Sequence, residues 1–165
     1  MPGPITLRAA GAGDCPAIND IYNHYVRTDT CTYQLEPDTL AEREAWLAQH
    51  GGEHPVLVAV QDGEIVAWGA LSTFHPRCGY RHTVEDSVYV RSDCVRRGLG
   101  RALLGELLRL AREHGHHSVL ALISTDQAGS VVLHEQFGFT RAGRLREVGY
   151  KFGTWLDVAY LQLIL

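Results

Sequence analysis

Lysine is almost missing from this chain. Lys151 stands alone among 15 basic residues, the other fourteen being arginine, and against 19 acidic residues the formal charge is -4. Basic side chains that are outnumbered and unclustered do not build the positive field that nucleic acid or an anionic membrane requires, so neither partner is expected. No apolar run approaches the roughly 18 residues of a membrane-spanning helix, and the opening "MPGPITLRAA" has no basic region followed by an apolar stretch. A cytoplasmic location is the expectation. The four cysteines, Cys15, Cys31, Cys78 and Cys94, form no C-x-x-C pair, which leaves neither a zinc site nor a disulfide framework to read. His114, His116 and His117 in "EHGHHSV", and His50 and His54 around "GGE", lack a cysteine or carboxylate at ligand spacing, so no metal is expected. Ser/Pro-rich linkers, internal repeats and low-complexity tracts are also wanting, and 165 residues read as a single domain over 1–165.

What is present is an orderly alternation of strand and helix signals. "ITLRAA" predicts a strand, and Asp14 a cap for a helix in which Ile18, Ile21, Tyr22 and Tyr25 share a face. Thr39 and Glu42 form a capping box for a second helix. "VLVAVQDGEIVAWGALS" predicts a hairpin turning on Asp62 and Gly63, and "HTVEDSVYV" a further strand. Leu99, Leu103, Leu107 and Leu110 then fall at helical spacing from about residue 97 to 114. "SVLALIS", the helix "AGSVVLHEQFG" and two closing strands complete the order β-α-α-β-β-β-α-β-α-β-β. That order implies an α/β (α+β) fold with a mixed, mainly antiparallel sheet flanked by helices.

The mouth of the long helix, "RRGLGR", holds two glycines among three arginines. Unpaired backbone N–H groups and the helix dipole converge at such a terminus, and glycine lets a phosphate approach them. Arg96, Arg97 and Arg101 add guanidinium donors, so a pyrophosphate is the natural occupant; a tight turn packed on the sheet is the plainer alternative. The P-loop signature is absent, and a dinucleotide fingerprint would need glycine at Leu103. On the strand "TVEDSVYV", alternation places Thr83, Glu85, Ser87 and Tyr89 on one face in the absence of a bulge. Gln127, Ser130 and His134 fall at i, i+3 and i+7 on the later helix.

Taken in order, "TVEDSVYV", the turn around Gly98 and Gly100, "SVVLHEQFGF" and "VGYKFGTWLDV" resemble the GNAT acetyltransferase superfamily, and its phosphinothricin and methionine sulfoximine acetyltransferase branch in particular. The likeness spans nearly the whole chain. It departs at Val95, where Gln or Arg is usual, and at Gln127, where Asn is common. The resemblance implies a sheet of about seven strands with about four helices and splayed central strands. It also implies acetyl-CoA as co-substrate, held by main-chain groups of Val88, Tyr89 and Val90, by the turn Arg96, Arg97, Gly98, Leu99, Gly100 and Arg101, and by Gln127 and Ser130. His75, Pro76 and Arg77 are placed on one side of the acceptor pocket, with Glu85, Asp86 and Ser87 on the other. Glu85 is the expected base for the amine, acting through water, and His134 the expected acid for the thiolate or orienter of water. The reaction implied is direct attack by the amine of a small amino-acid-like acceptor, in a homodimer. A catalytically silent acyl-CoA-binding module and a protein or peptide acetyltransferase stay open as alternatives.

Overall fold

The computed structural model describes residues 3–165, with Met1 and Pro2 outside them. The elements run β1 (Thr6–Ala9), α1 (Cys15–Thr28), α2 (Leu40–Ala48), β2 (Val56–Gln61), β3 (Glu64–Thr73), β4 (Thr83–Val90), α3 (Leu99–Glu113), β5 (Ser118–Ser124), α4 (Ala128–Gln136), β6 (Thr140–Lys151) and β7 (Thr154–Ile164). This is the order expected from the sequence. They form a seven-stranded sheet, β1-β2-β3-β4-β5-β7-β6, antiparallel throughout except between β4 and β5.

Local chemistry explains several boundaries. Asp62 and Gly63 adopt φ of 52° and 81°, the left-handed pair that a two-residue hairpin needs between twisted strands. Thr39 Oγ1 accepts from the Glu42 amide while Glu42 accepts from the Thr39 amide, closing the expected capping box. Asp14 does not cap α1 with its side chain. Its carboxylate takes a forked hydrogen bond from Arg8 at 2.6 and 2.9 Å and a third from the Gly11 amide, because a bidentate guanidinium is a stronger partner than a helix amide.

Helices cover both faces of the sheet. The leucines of α3 (Leu99, Leu103, Leu104, Leu107 and Leu108) pack with Val84, Val119 and Leu161, while Ile18 and Ile21 of α1 pack with Val56, Val58 and Trp68. Alternation along each strand assigns its side chains to one layer or the other.

The feature that positions the site lies between these layers. β4 pairs with β5 only through Thr83, Val84 and Glu85, opposite Ser118, Val119 and Leu120. Beyond that point β4 stays bonded to β3 as far as Val90, and β5 stays bonded to β7 as far as Ser124. The two parallel strands therefore diverge after Glu85, opening a gap in mid-sheet. The chain around α1 spans that gap: the Tyr25 hydroxyl donates to the Val90 carbonyl at 2.5 Å, and the Tyr33 hydroxyl donates to the Asp157 carbonyl at 2.6 Å.

Candidate active site

A cavity of about 900 Å³ occupies the divergence and reaches both faces of the sheet. Its lining includes Glu85, Ser87, Val88, Tyr89 and Val90 from β4, Gln127, Ser130 and His134 from around α4, and Arg96 and Gly100 from the glycine turn.

On the α3 side, Gly98 precedes the helix at φ 81°. The first helical hydrogen bond runs from the Ala102 amide to the Gly98 carbonyl at 3.0 Å, so the amides of Leu99, Gly100 and Arg101 precede the ladder and point out of the helix end. A Cβ on Gly98 would meet no atom within 4 Å, whereas one on Gly100 would lie 3.4 Å from Leu133 and close to Val88 and Val90. The two glycines therefore do different work: Gly98 supplies the left-handed turn in front of an open cradle, and Gly100 lets α3 approach β4 and α4. Arg96 takes φ 61° beside this turn. Arg97 donates to the Asp93 carbonyl at 2.8 Å, and Arg101 reaches Gln136 and lies over the Phe137 ring. Exposed amides, open space and flanking guanidinium groups fit the pyrophosphate of a coenzyme.

On the α1 side the β4 register is regular, so Glu85, Ser87 and Tyr89 do share a face. Tyr89 stacks on Trp68 at 4.9 Å and meets the Tyr22 ring edge-on at 5.2 Å. Arg43 lies 4.6 Å over Tyr22 and 4.7 Å over Trp46, held by Asp38 at 2.5 Å. Burial, reinforced by the neighbouring Asp86, holds the Glu85 carboxyl above its ordinary value. A carboxylate raised in this way is a better proton acceptor.

Asp86 is not beside Glu85 in the acceptor region. The same alternation turns it to the other face, where it is 2% exposed and bonds His134 Nε2 at 2.9 Å. The expected placing of Asp86 with Glu85 on one side of the acceptor pocket does not hold, because adjacent strand residues face opposite layers. Burial alone would lower the His134 pKa, but the hydrogen bond and charge of Asp86, with the Ser130 carbonyl, outweigh it and raise the value.

His75, Pro76 and Arg77 lie on the loop between β3 and β4, outside the cavity lining, with Pro76 and Arg77 exposed and His75 against Tyr80. Gln127 precedes α4 and donates to Asp29 at 2.8 Å. Residues 29–34, for which the sequence suggests no role, link the two sides of the cavity, and all of them but Thr30 line it. Thr30 donates to Asp126, and Tyr22 bonds Thr32 and Gln34. Lys151 anchors them, donating from a buried position to the Asp29 carbonyl at 2.6 Å and the Thr32 carbonyl at 2.8 Å. The solitary lysine was the available signal, yet nothing local announces carbonyl partners about 120 residues away.

Comparison with known proteins bears on the same region. Residues 7–160 match the sequence family described as acetyltransferase (GNAT) domain. An L-methionine sulfoximine/L-methionine sulfone acetyltransferase of Pseudomonas aeruginosa is 40% identical over 160 residues, covering 96% of this chain and 93% of that protein. A phosphinothricin N-acetyltransferase of Streptomyces viridochromogenes is 38% identical over 159 residues, covering 96% and 87%. The crystal structure of a phosphinothricin acetyltransferase from Sinorhizobium meliloti in complex with AcCoA superposes with a TM-score of 0.95 at 34% identity, covering 98% and 88%.

Proposed function

Because the chain belongs to the GNAT acetyltransferase family and is an N-acetyltransferase, we propose that it acetylates the amine of a free amino acid or close analogue by direct attack within a ternary complex. The observation that carries this reading is the divergence of β4 from β5 immediately after Glu85, with an open helix terminus at one side. Acetyl-CoA supplies an activated acetyl thioester. The amides ahead of α3 and the arginines beside them bind its pyrophosphate. Main-chain N–H groups of β4 between Val88 and Val90, facing the gap, receive the thioester carbonyl and stabilise the negative charge that develops on its oxygen.

Glu85 takes the proton of the amine through a water. The ammonium of a free amino acid is held by its own carboxylate above the peptide-terminus value of about 7.7–8.0, so it is protonated near neutral pH and needs a base, and a carboxylate raised by burial accepts its proton at lower cost than an ordinary one. Ser87 and the Tyr22, Trp68 and Tyr89 rings bound the acceptor's side. Arg77 and His75, on the exposed loop, meet the acceptor's head group at the rim, where an arginine fork suits a carboxylate, sulfone or phosphinate oxygen. The relatives named for methionine sulfone, methionine sulfoximine and phosphinothricin support an acceptor of this size.

Release of free CoA thiol, followed over a panel of amino acids and their sulfone, sulfoximine and phosphinic analogues, tests the proposal. Turnover with one or more of these, with Arg77→Ala raising acceptor KM more than it lowers kcat, supports it. Indifference to the acceptor's carboxylate, with robust turnover of polyamines or peptides, overturns it.

A further inference from the structure

Glu85 has a cross-strand partner on the acceptor side. Ser72 of β3 stands directly opposite it in the antiparallel register, as Ala70 stands opposite Ser87 and Trp68 opposite Tyr89. Directly opposed residues of such a pair project to the same face with Cβ atoms about 4.5–5.5 Å apart. Ser72 and Glu85 are therefore side by side, and both line the cavity.

His50, just beyond the end of α2, fixes the serine hydroxyl. Its ring packs on Trp46 at 4.3 Å, Nδ1 lies 2.8 Å from the Trp46 carbonyl, and Nε2 lies 2.9 Å from Ser72 Oγ. A carbonyl can only accept, so Nδ1 carries a hydrogen. Neither nitrogen bonds a carboxylate that would favour the cation, and in the neutral ring Nε2 is bare and takes the Ser72 hydrogen. The hydroxyl has no other side-chain partner among the described residues. With its one hydrogen turned to His50, it has only lone pairs left to offer the cavity. The amine side thus presents two neighbouring acceptors, the Glu85 carboxylate and the Ser72 oxygen, while Asp86 is turned to the other layer.

We propose that Ser72 binds the amine of the acceptor, accepting a hydrogen bond from it beside Glu85, and that His50 is a positioning residue that keeps the serine's lone pairs toward the cavity. The proposal rests on the acetyl-transfer reading above. An ammonium has three hydrogens to place: one goes to Glu85 through water, and a second goes to Ser72. Ser72 exchanges no proton. The N–H that it holds is still present after Glu85 has taken the first proton, so the contact steadies the amine up to its attack.

Nitrogen-15 NMR of histidine-labelled protein at pH 8.5 tests the orientation, with the His50 signals assigned by their loss in His50→Phe. The His50 ring should be neutral and protonated at Nδ1. Kinetics at the same pH test the contact. Ser72→Ala should raise the acceptor KM about tenfold, with kcat and the KM for acetyl-CoA within about threefold. Ser72→Thr, which keeps the hydroxyl, should restore most of that loss. The same acceptor with hydrogen in place of its amine, used as a competitive inhibitor, should bind Ser72→Ala and the unaltered protein equally. His50→Phe, which keeps a ring on Trp46, should raise the acceptor KM several-fold and add little in the Ser72→Ala background.

An Nε2–H tautomer or an imidazolium in the unaltered protein overturns the proposal, and that result needs no variant to fold. An acceptor KM that ignores Ser72→Ala, or equal weakening of acceptor and inhibitor, overturns the amine contact. Should no amine in the panel be acetylated, the acetyl-transfer reading fails and the amine contact with it; the NMR result still decides which way His50 turns the hydroxyl.

Discussion

Glu85 is the last β4 residue bonded across to β5 and also faces the aromatic side of the cavity. A base acts when ionised, so its raised pKa places the acid limb of activity above the usual carboxylate value of about 4.3, with the rate falling as pH drops through it. Glu85→Gln should lower kcat about 100-fold at neutral pH and abolish that limb, and the deficit should shrink at alkaline pH as the amine loses its proton unaided. Rate profiles over pH 5–9 check this; an unchanged acid limb would reduce Glu85 to substrate positioning. Gly98 offers a second residue-scale test. Its φ of 81° costs an alanine about 1–2 kcal/mol, and a Cβ there would project into the open cradle. Calorimetry should find acetyl-CoA bound about tenfold more weakly by Gly98→Ala, and more weakly still by Gly98→Val.

At the scale of elements, the divergence of β4 and β5 depends on what braces its ends. Tyr25 fastens the end of β4 to α1, while Tyr33 fastens β5 and β7 to the segment that follows. Lys151 holds that segment through the Asp29 and Thr32 carbonyls, and burial lowers its pKa despite the opposing influence of Cys31 and Asp29. Lys151→Met keeps the apolar stem and removes the donors, leaving buried carbonyls unanswered at roughly 1–3 kcal/mol. The expected result is faster hydrogen exchange in residues 29–34 and an acceptor KM raised several-fold, with the KM for acetyl-CoA unchanged. Equal effects on both Michaelis constants would show that the lysine stabilises the fold without shaping the acceptor side.

At the scale of the molecule, the β6/β7 hairpin exposes Leu145, Val148, Tyr150, Phe152 and Trp155 along the sheet's edge. Exposed apolar side chains gathered on one element commonly mark an interface. A homodimer using this hairpin is expected, with Trp155→Glu shifting light scattering toward the monomer mass; a monomer at all concentrations of the unaltered protein would refute it. The element order, the hairpin at Asp62 and Gly63, the α2 cap and the glycine turn were all legible from the sequence, because each depends on neighbours within a few residues. The layer assigned to each β4 residue was legible as well, through the period of two, yet the pairing of Asp86 with Glu85 at an acceptor site set that rule aside. Tertiary structure alone decided where β4 leaves β5, that Asp14 serves Arg8, that Asp86 meets His134 across 48 positions, and that Lys151 reaches Asp29 and Thr32. Such contacts join segments brought together by packing the layers, and local periodicity carries no information about which distant backbone will be there.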